Sequence, residues 1–230
     1  MVGRFRAPRS TTTAGDALAR AGDSPRASVS LYRIIPSAIG DVGVVRSRRG
    51  GMLRRIFLPR KGVSLRDEIA AAFPGAEAEE GEGDLLCRRL RALLTGQPVE
   101  FSLAGLDLTG VGGFARRVLT LDHAIPRGRV MTYAGMAARL GVPGGARAVG
   151  NAMARNPFPL VVPCHRVVGS DRGLRGFGGG LAMKRALLEM EGVAFDRRGR
   201  VLSGYLLEAW QVGATVLPVA GSSRPGCRGG

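Results

Sequence analysis

A thiol, an imidazole and a guanidinium follow one another at Cys164, His165 and Arg166, flanked by Pro163 and Val167. Cysteine attacks as its thiolate, and a nearby imidazole or guanidinium favours that form. The same residues allow a quieter reading, because an unpaired cysteine is most often a small buried hydrophobe. Cys87 and Cys227 lie far from Cys164 and share no metal-ligand spacing with it. Three cysteines so dispersed suit a reducing compartment rather than a disulfide framework. Glu191 is a further candidate for this constellation. It stands just before Gly192 at the end of a helical stretch, where the helix dipole disfavours an acid, so a specific partner is expected and His165 is the candidate.

Several elements must position these groups. The apolar run Leu160-Val161-Val162 reads as a short buried strand that delivers Cys164 at its tip. A glycine-rich loop, Gly169 to Gly180, follows, and then a helix to Glu191. Upstream, Phe114 to Ala124 reads as an amphipathic helix ended by Ile125-Pro126-Arg127-Gly128. Thr132 caps a helix over Tyr133–Leu140, and the turn Gly141 to Gly145 leads into a second short helix, Ala146 to Ala154. Two short helices around such a turn fit a helix-turn-helix as well as a plain helical hairpin. The second helix carries Ala146, Ala148, Gly150 and Ala152 around Arg147, leaving little bulk to pack and allowing its backbone to approach a partner closely.

The first half of the chain is simpler. Residues 1–29 lack apolar periodicity and read as disordered. Three strands are expected over Leu31–Pro36, Val42–Val45 and Met52–Leu58, followed by a helix from Leu65 capped by Ser64. An acidic loop, Pro74 to Asp84, precedes a leucine-rich helix over Leu85–Leu94 that holds Cys87 in a structural position. No constellation in residues 30–108 points to chemistry. The expected organisation is α+β: a small α/β domain over 30–108, a helical domain over 112–202, and a flexible extension over 203–230.

Charge narrows the partner. The 230 residues carry a net charge of +16, and only Lys61 and Lys184 among the basic residues are lysines. Residues 112–202 hold fifteen basic and five acidic side chains, whereas residues 62–108 hold four and nine. Such an excess points to a polyanion, most simply nucleic acid, on the C-terminal half. No apolar run reaches membrane-spanning length, and the basic start has no apolar segment after it, so no anchor or signal peptide is expected and the chain reads as cytoplasmic.

Five segments in order then carry a resemblance: Gly128-Arg129-Val130-Met131-Thr132-Tyr133, Ala146 to Met153, Asn156-Pro157, Pro163 to Val167, and Gly179-Gly180-Leu181 with Lys184 and Leu187-Leu188. Together they resemble the O6-alkylguanine-DNA alkyltransferases, the methylated-DNA–protein-cysteine methyltransferases. The resemblance implies a helical, winged-helix-like DNA-binding and alkyl-acceptor domain whose helix-turn-helix enters the minor groove of double-stranded DNA with little sequence specificity. It makes Cys164 the acceptor thiol, His165 the base acting through a water, and Glu191 the group that orients the imidazole. Tyr133 then contacts the target phosphate and the flipped base, Asn156 braces the turn before the acceptor segment, and Arg147 fills the gap left in the stack. Thr132, Ala146, Ala148, Gly150 and Asn151 are the remaining implied DNA contacts. Pro163, Val167, Phe177, Gly178 and Lys184 are the implied base pocket.

Where many relatives carry tyrosine in the substrate loop, this sequence has Phe177 followed by Gly178, which keeps an aromatic wall and loses a hydroxyl. The N-terminal half lacks the Cys/His set that some relatives use for zinc, so neither metal nor cofactor is expected. The implied activity is irreversible, single-turnover transfer of an alkyl group from O6-alkylguanine to Cys164 by a monomer. The alternative is a non-catalytic module that binds alkyl damage and flags it for other repair machinery. Such proteins replace the cysteine, and Cys164 is present here.

Overall fold

The computed structural model describes residues 30–81 and 83–207. The expected disordered N-terminus and the stretch holding Trp210 and Cys227 lie outside the described residues. The fold is mixed α+β. Strands β1 (Ser30–Ile35), β2 (Val42–Ser47) and β3 (Leu53–Phe57) form an antiparallel meander, with a register shift between Val45 and Arg46. Helix α1 (Leu65–Ala72) starts at Ser64, whose hydroxyl accepts from the Asp67 amide. A fourth strand follows, β4 (Glu77–Ala78), which pairs parallel with β1 and completes the order β3-β2-β1-β4.

That fourth strand lies inside the expected acidic loop. Two exposed residues carry no hydrophobic signature; what holds them is charge. Glu79 pairs with Arg46 and also lies 3.5 Å from the buried Arg33, while Asp84 reaches Arg46 at 3.1 Å. The acidic segment therefore neutralises the sheet's own arginines, which explains part of the charge split along the sequence.

Helix α2 (Leu85–Leu94), capped by Asp84, buries Cys87, Leu90, Leu93 and Leu94. Each fully buried leucine stabilises the fold by about 1.5–3 kcal/mol relative to an exposed one. The same apolar core continues from Ile35, Val44 and Leu53 of the sheet through Leu90 and Leu94 to Phe158, Leu160, Val162 and Leu187. The segment before Cys164 is thus seated directly on the N-terminal half.

The second half contains α3 (Gly113–His123), β5 (Met131–Thr132), α4 (Tyr133–Arg139), α5 (Ala146–Ala154), β6 (Val167–Val168) and α6 (Gly180–Met190). Thr132 caps α4 by accepting from the Gly135 amide at 2.9 Å. Strands β5 and β6 pair in parallel, Met131 opposite Val167, and so place the start of α4 beside the segment holding Cys164. Residues 203–207 do not begin a loose tail. The Val130 amide donates to Tyr205 O at 2.9 Å, and the Leu207 amide donates to Val130 O at 2.8 Å.

The expected strand over Leu160–Val162 is instead a buried tight turn. Leu160 has φ 75, the Val162 amide donates to Phe158 O at 2.8 Å, and Cys164–Arg166 form one turn of 3₁₀ helix. Left-handed backbone at a leucine costs about 1–3 kcal/mol. Burial of Leu160 and hydrogen bonds from Asn156 hold it in place. A three-residue apolar run has too few residues for periodicity to distinguish a strand from a turn. Helix α5 also has more of a core face than its small residues imply: Val149, Ala152 and Met153 are buried, so Ala152 does not belong to the open face.

Candidate active site

A cavity of about 910 Å³ opens beside Cys164. Three regions wall it: Tyr133 and Ala134 at the start of α4 with Ala146, Arg147, Gly150 and Asn151 on α5; Asn156 and Cys164; and the loop from Gly169 to Gly178, including Phe177. A fourth wall comes from the sheet half, where Arg55, Ile56, Phe57, Leu58 and Arg60 face the same space. That half held no chemistry-bearing pattern, and a strand residue gives no sequence sign of the distant loop it will face. The Ile56 amide donates to Pro157 O at 2.8 Å and ties β3 to the Asn156 segment.

Behind Cys164 lies a closed array of charge. His165 is fully buried, and its Nε2 is 2.9 Å from Glu191 Oε1. Arg166 grips the same carboxylate, with Nη2 2.8 Å from Oε1 and Nε 3.0 Å from Oε2, and donates from Nη1 to Ile125 O at 2.6 Å. The Gly128 amide completes the set, 3.2 Å from Oε2. Glycine is favoured there, because its φ is 73 and a Cβ would meet Glu191 O at 3.0 Å. The expected partnership of Glu191 with His165 is present. Arg166, by contrast, points at Glu191 and not at the thiol, so its neighbourhood in sequence does not make it a thiolate stabiliser.

The electrostatics follow from this arrangement. Burial by itself would raise the Glu191 pKa, but the hydrogen bonds and charges of His165 and Arg166 outweigh it and bring the carboxyl down to about 2. An ionised carboxylate only accepts hydrogen bonds, so His165 Nε2 carries the hydrogen and Nδ1 bears the lone pair. Nδ1 has no hydrogen-bond partner among the described residues. Burial holds the imidazole pKa below its ordinary value against the opposing pull of Glu191, so His165 is neutral and able to accept a proton.

Burial also pushes the Cys164 thiol up to about 12, with Asp122 adding to the rise and Asn156 and Lys184 partly offsetting it. The resting site therefore holds a neutral thiol. Tyr133 is likewise raised to about 12 by burial and by the Cys164 and Asp122 charges, so its hydroxyl keeps its proton and serves as a donor. Asn156 donates from Nδ2 to Val162 O at 3.0 Å and accepts from the Phe158 amide at 2.9 Å, bracing the tight turn.

Not every expected site residue faces the cavity. Pro163, Val167 and Lys184 are buried behind it. Lys184 donates from Nζ to Val167 O at 2.7 Å and to Arg175 O at 2.8 Å, anchoring the Gly169–Gly178 loop without lining the cavity. Thr132 works through its cap on α4, and Ala148 is exposed on α5 outside the cavity wall. Phe177 and Gly178 do line it, and the Phe177 ring stands edge-on to His165 at 6.3 Å. Asp122 on α3 was missed. It is fully buried, neither carboxylate oxygen has a partner among the described residues, and burial raises its pKa to about 8 against the pull of Arg166 and Lys184. Its signal was in the sequence as an acid within the apolar stripe Val118, Leu121 and Ile125.

Residues 113–193 match the sequence family described as 6-O-methylguanine DNA methyltransferase, DNA binding domain. A crystal structure of an O6-methylguanine methyltransferase from Mycobacterium tuberculosis is 34% identical, superposes with a TM-score of 0.59, and shares 71% of this chain and 93% of its own. The chain belongs to the methylated-DNA–protein-cysteine methyltransferase family. Within that family, the protein from Methanothermobacter thermautotrophicus is 48% identical over 107 residues, which are 46% of this chain and 60% of the relative. The one from Salmonella typhimurium is 51% identical over 95 residues, 40% of this chain and 56% of its own. The match thus spans well under two thirds of these curated relatives. A structure of the M. tuberculosis protein in complex with DNA is 35% identical, with a TM-score of 0.58, and shares 70% of this chain and 92% of its own. Among the described residues, no helix is long and apolar enough to cross a membrane.

Proposed function

We propose that this protein repairs O6-alkylguanine in DNA by moving the alkyl group irreversibly onto Cys164. The observation that carries this reading is the neutral thiol in the wall of a cavity, backed by a neutral His165 whose Nε2 is committed to an ionised Glu191. A thiol with a pKa near 12 is scarcely ionised at neutral pH and needs a base at the moment of attack. His165 Nδ1 is that base, taking the proton through a bridging water while the ionised Glu191 steadies the imidazolium that forms. The Cys164 sulfur–carbon bond forms as the O6–carbon bond breaks. The Tyr133 hydroxyl donates to the departing guanine, which leaves carrying a proton, and His165 makes good the proton from Tyr133. The products are a thioether and guanine, with no step that regenerates the thiol, so each molecule acts once.

On the DNA side, α4 and α5 form a helix-turn-helix of winged-helix type that enters the minor groove. Arg147 on the first turn of α5 fills the stack vacated by the flipped nucleotide, as chemistry on an extruded base requires. Exposed Ala148 and Asn151, with half-buried Ala146 and Gly150, leave room for close backbone approach and little for base readout, so sequence specificity is low. The protein acts as a monomer. The decisive test is mass spectrometry of the intact protein after incubation with a methylated duplex oligonucleotide. One added methyl per chain, mapped to Cys164, is expected; DNA binding without any mass change would favour a damage-flagging role.

A further inference from the structure

Asp122 is a fully buried carboxyl with both oxygens unpartnered among the described residues, placed in the core of the catalytic half. Burying a polar group without a hydrogen bond is costly, and burying it as an anion costs far more. The positive charges that act on it are Arg166 of the 3₁₀ turn and Lys184 of α6, and no ion pair with either forms among the described residues. Both cations are otherwise engaged, Arg166 by Glu191 and Ile125 O, and Lys184 by Val167 O and Arg175 O. His123, its neighbour on α3, lies 3.1 Å from Val161 O through Nδ1, and His165 is held by Glu191. Its neighbours Val118, Leu121 and Ile125 belong to one apolar cluster against which Cys164 and Tyr133 pack, and the groups that feel Asp122 in turn are Cys164, Tyr133 on α4, and Lys184.

We propose that Asp122 is a positioning residue for the transfer, held as a neutral carboxylic acid in the core behind Cys164, and that its ionisation opposes formation of the Cys164 thiolate. The inference rests on the alkyl-transfer reading of the site. During transfer Asp122 keeps its proton; the thiol proton leaves through His165 and the sulfur–carbon bond forms as already described. A carboxylate at this position would place a second negative charge beside the developing thiolate in a poorly solvated site, where like charges repel strongly. The neutral acid removes that repulsion. The reaction is thereby favoured at neutral pH, and the gain in thiolate expected on raising the pH is blunted as Asp122 ionises.

The test compares wild type with Asp122→Asn and Asp122→Leu. The leucine fits the apolar surroundings and keeps the test open if the amide impairs folding. Two rates are followed from about pH 6 to about pH 9.5, a span that brackets the raised carboxyl. One is alkylation of Cys164 by iodoacetamide, located by peptide mass spectrometry; the other is methyl transfer from a duplex oligonucleotide. The variant-to-wild-type ratio is expected to rise with pH in both, reaching about tenfold at the alkaline end, equivalent to one unit of thiol pKa. A ratio that stays flat across the range overturns the proposal. Iodoacetamide needs no DNA, so a rising ratio with that reagent, alongside no methyl transfer in wild type, would remove the alkyl-transfer reading while retaining the effect of Asp122 on the thiol.

Discussion

The two thiols among the described residues, Cys87 buried and Cys164 half-buried, are alike in acidity and unlike in everything around them. Burial raises Cys87 to about 11 and Cys164 to about 12, so neither is a thiolate at neutral pH. Cys87 sits in the apolar face of α2, with Asp84 adding to its rise. Cys164 borders a cavity and is followed by an imidazole whose tautomer is set by an ionised carboxylate. On the alkyl-transfer reading, a depressed resting pKa is therefore not what marks the nucleophile. What marks it is a base in place and space for an electrophile. On the same reading, this arrangement keeps the thiol from ionising, and hence from adventitious alkylation and oxidation, until a substrate fills the site.

The largest effect that could break this contrast comes from exchanging the thiols. Cys164→Ser is expected to abolish methyl transfer while leaving DNA binding largely intact, whereas Cys87→Ala keeps transfer within about twofold of wild type. Label on Cys87, read by peptide mass spectrometry, would dissolve the distinction. Next in size is removal of the base. His165→Ala or Glu191→Gln is expected to slow single-turnover transfer by about 10²–10⁴. The gap to wild type should narrow as pH rises, because direct ionisation of Cys164 then replaces the base; a defect constant with pH would mean that these residues only pack.

A smaller effect separates base extrusion from chemistry. Arg147→Ala is expected to lower the ratio of duplex rate to free-base rate by about tenfold or more, since flipping costs a few kcal/mol in a duplex and nothing for the free base. Measuring at saturating DNA removes the salt-dependent affinity that the lost charge contributes. Tyr133→Phe lowers both rates, because its hydroxyl acts on the base itself. An unchanged ratio in Arg147→Ala would reduce this arginine to a surface contact. A change of another kind is expected in stability. Glu191 has a folded pKa of about 2, below its ordinary value, so its stabilising contribution is present above the ordinary carboxylate range and is lost as pH falls through the folded value. Glu191→Gln should therefore lower stability near neutral pH by on the order of a few kcal/mol and flatten the acid limb of a denaturation series. An acid limb identical to wild type would show that another group governs it.

Much of this was legible in the one-dimensional pattern. The helix ends at Ser64, Thr132 and Gly192, the leucine face of α2, and the placing of Glu191 against the helix dipole are local signals, set by caps, periodicity and backbone electrostatics within a few residues. The pairing of Glu191 with His165 was legible for the same reason, whereas Tyr133 and Arg147, which line one cavity with Cys164, were picked out only by the family resemblance. The tertiary structure alone decided the rest. It turned Arg166 away from the thiol it adjoins, made a turn of the expected strand at Leu160–Val162, found β4 within an acidic loop, and brought Arg55 and Arg60 of the sheet half to the cavity mouth. Each of these depends on contacts distant in sequence. Charge pairing and burial against a remote surface leave no period in the chain, so only the folded core determines which side chains share the site.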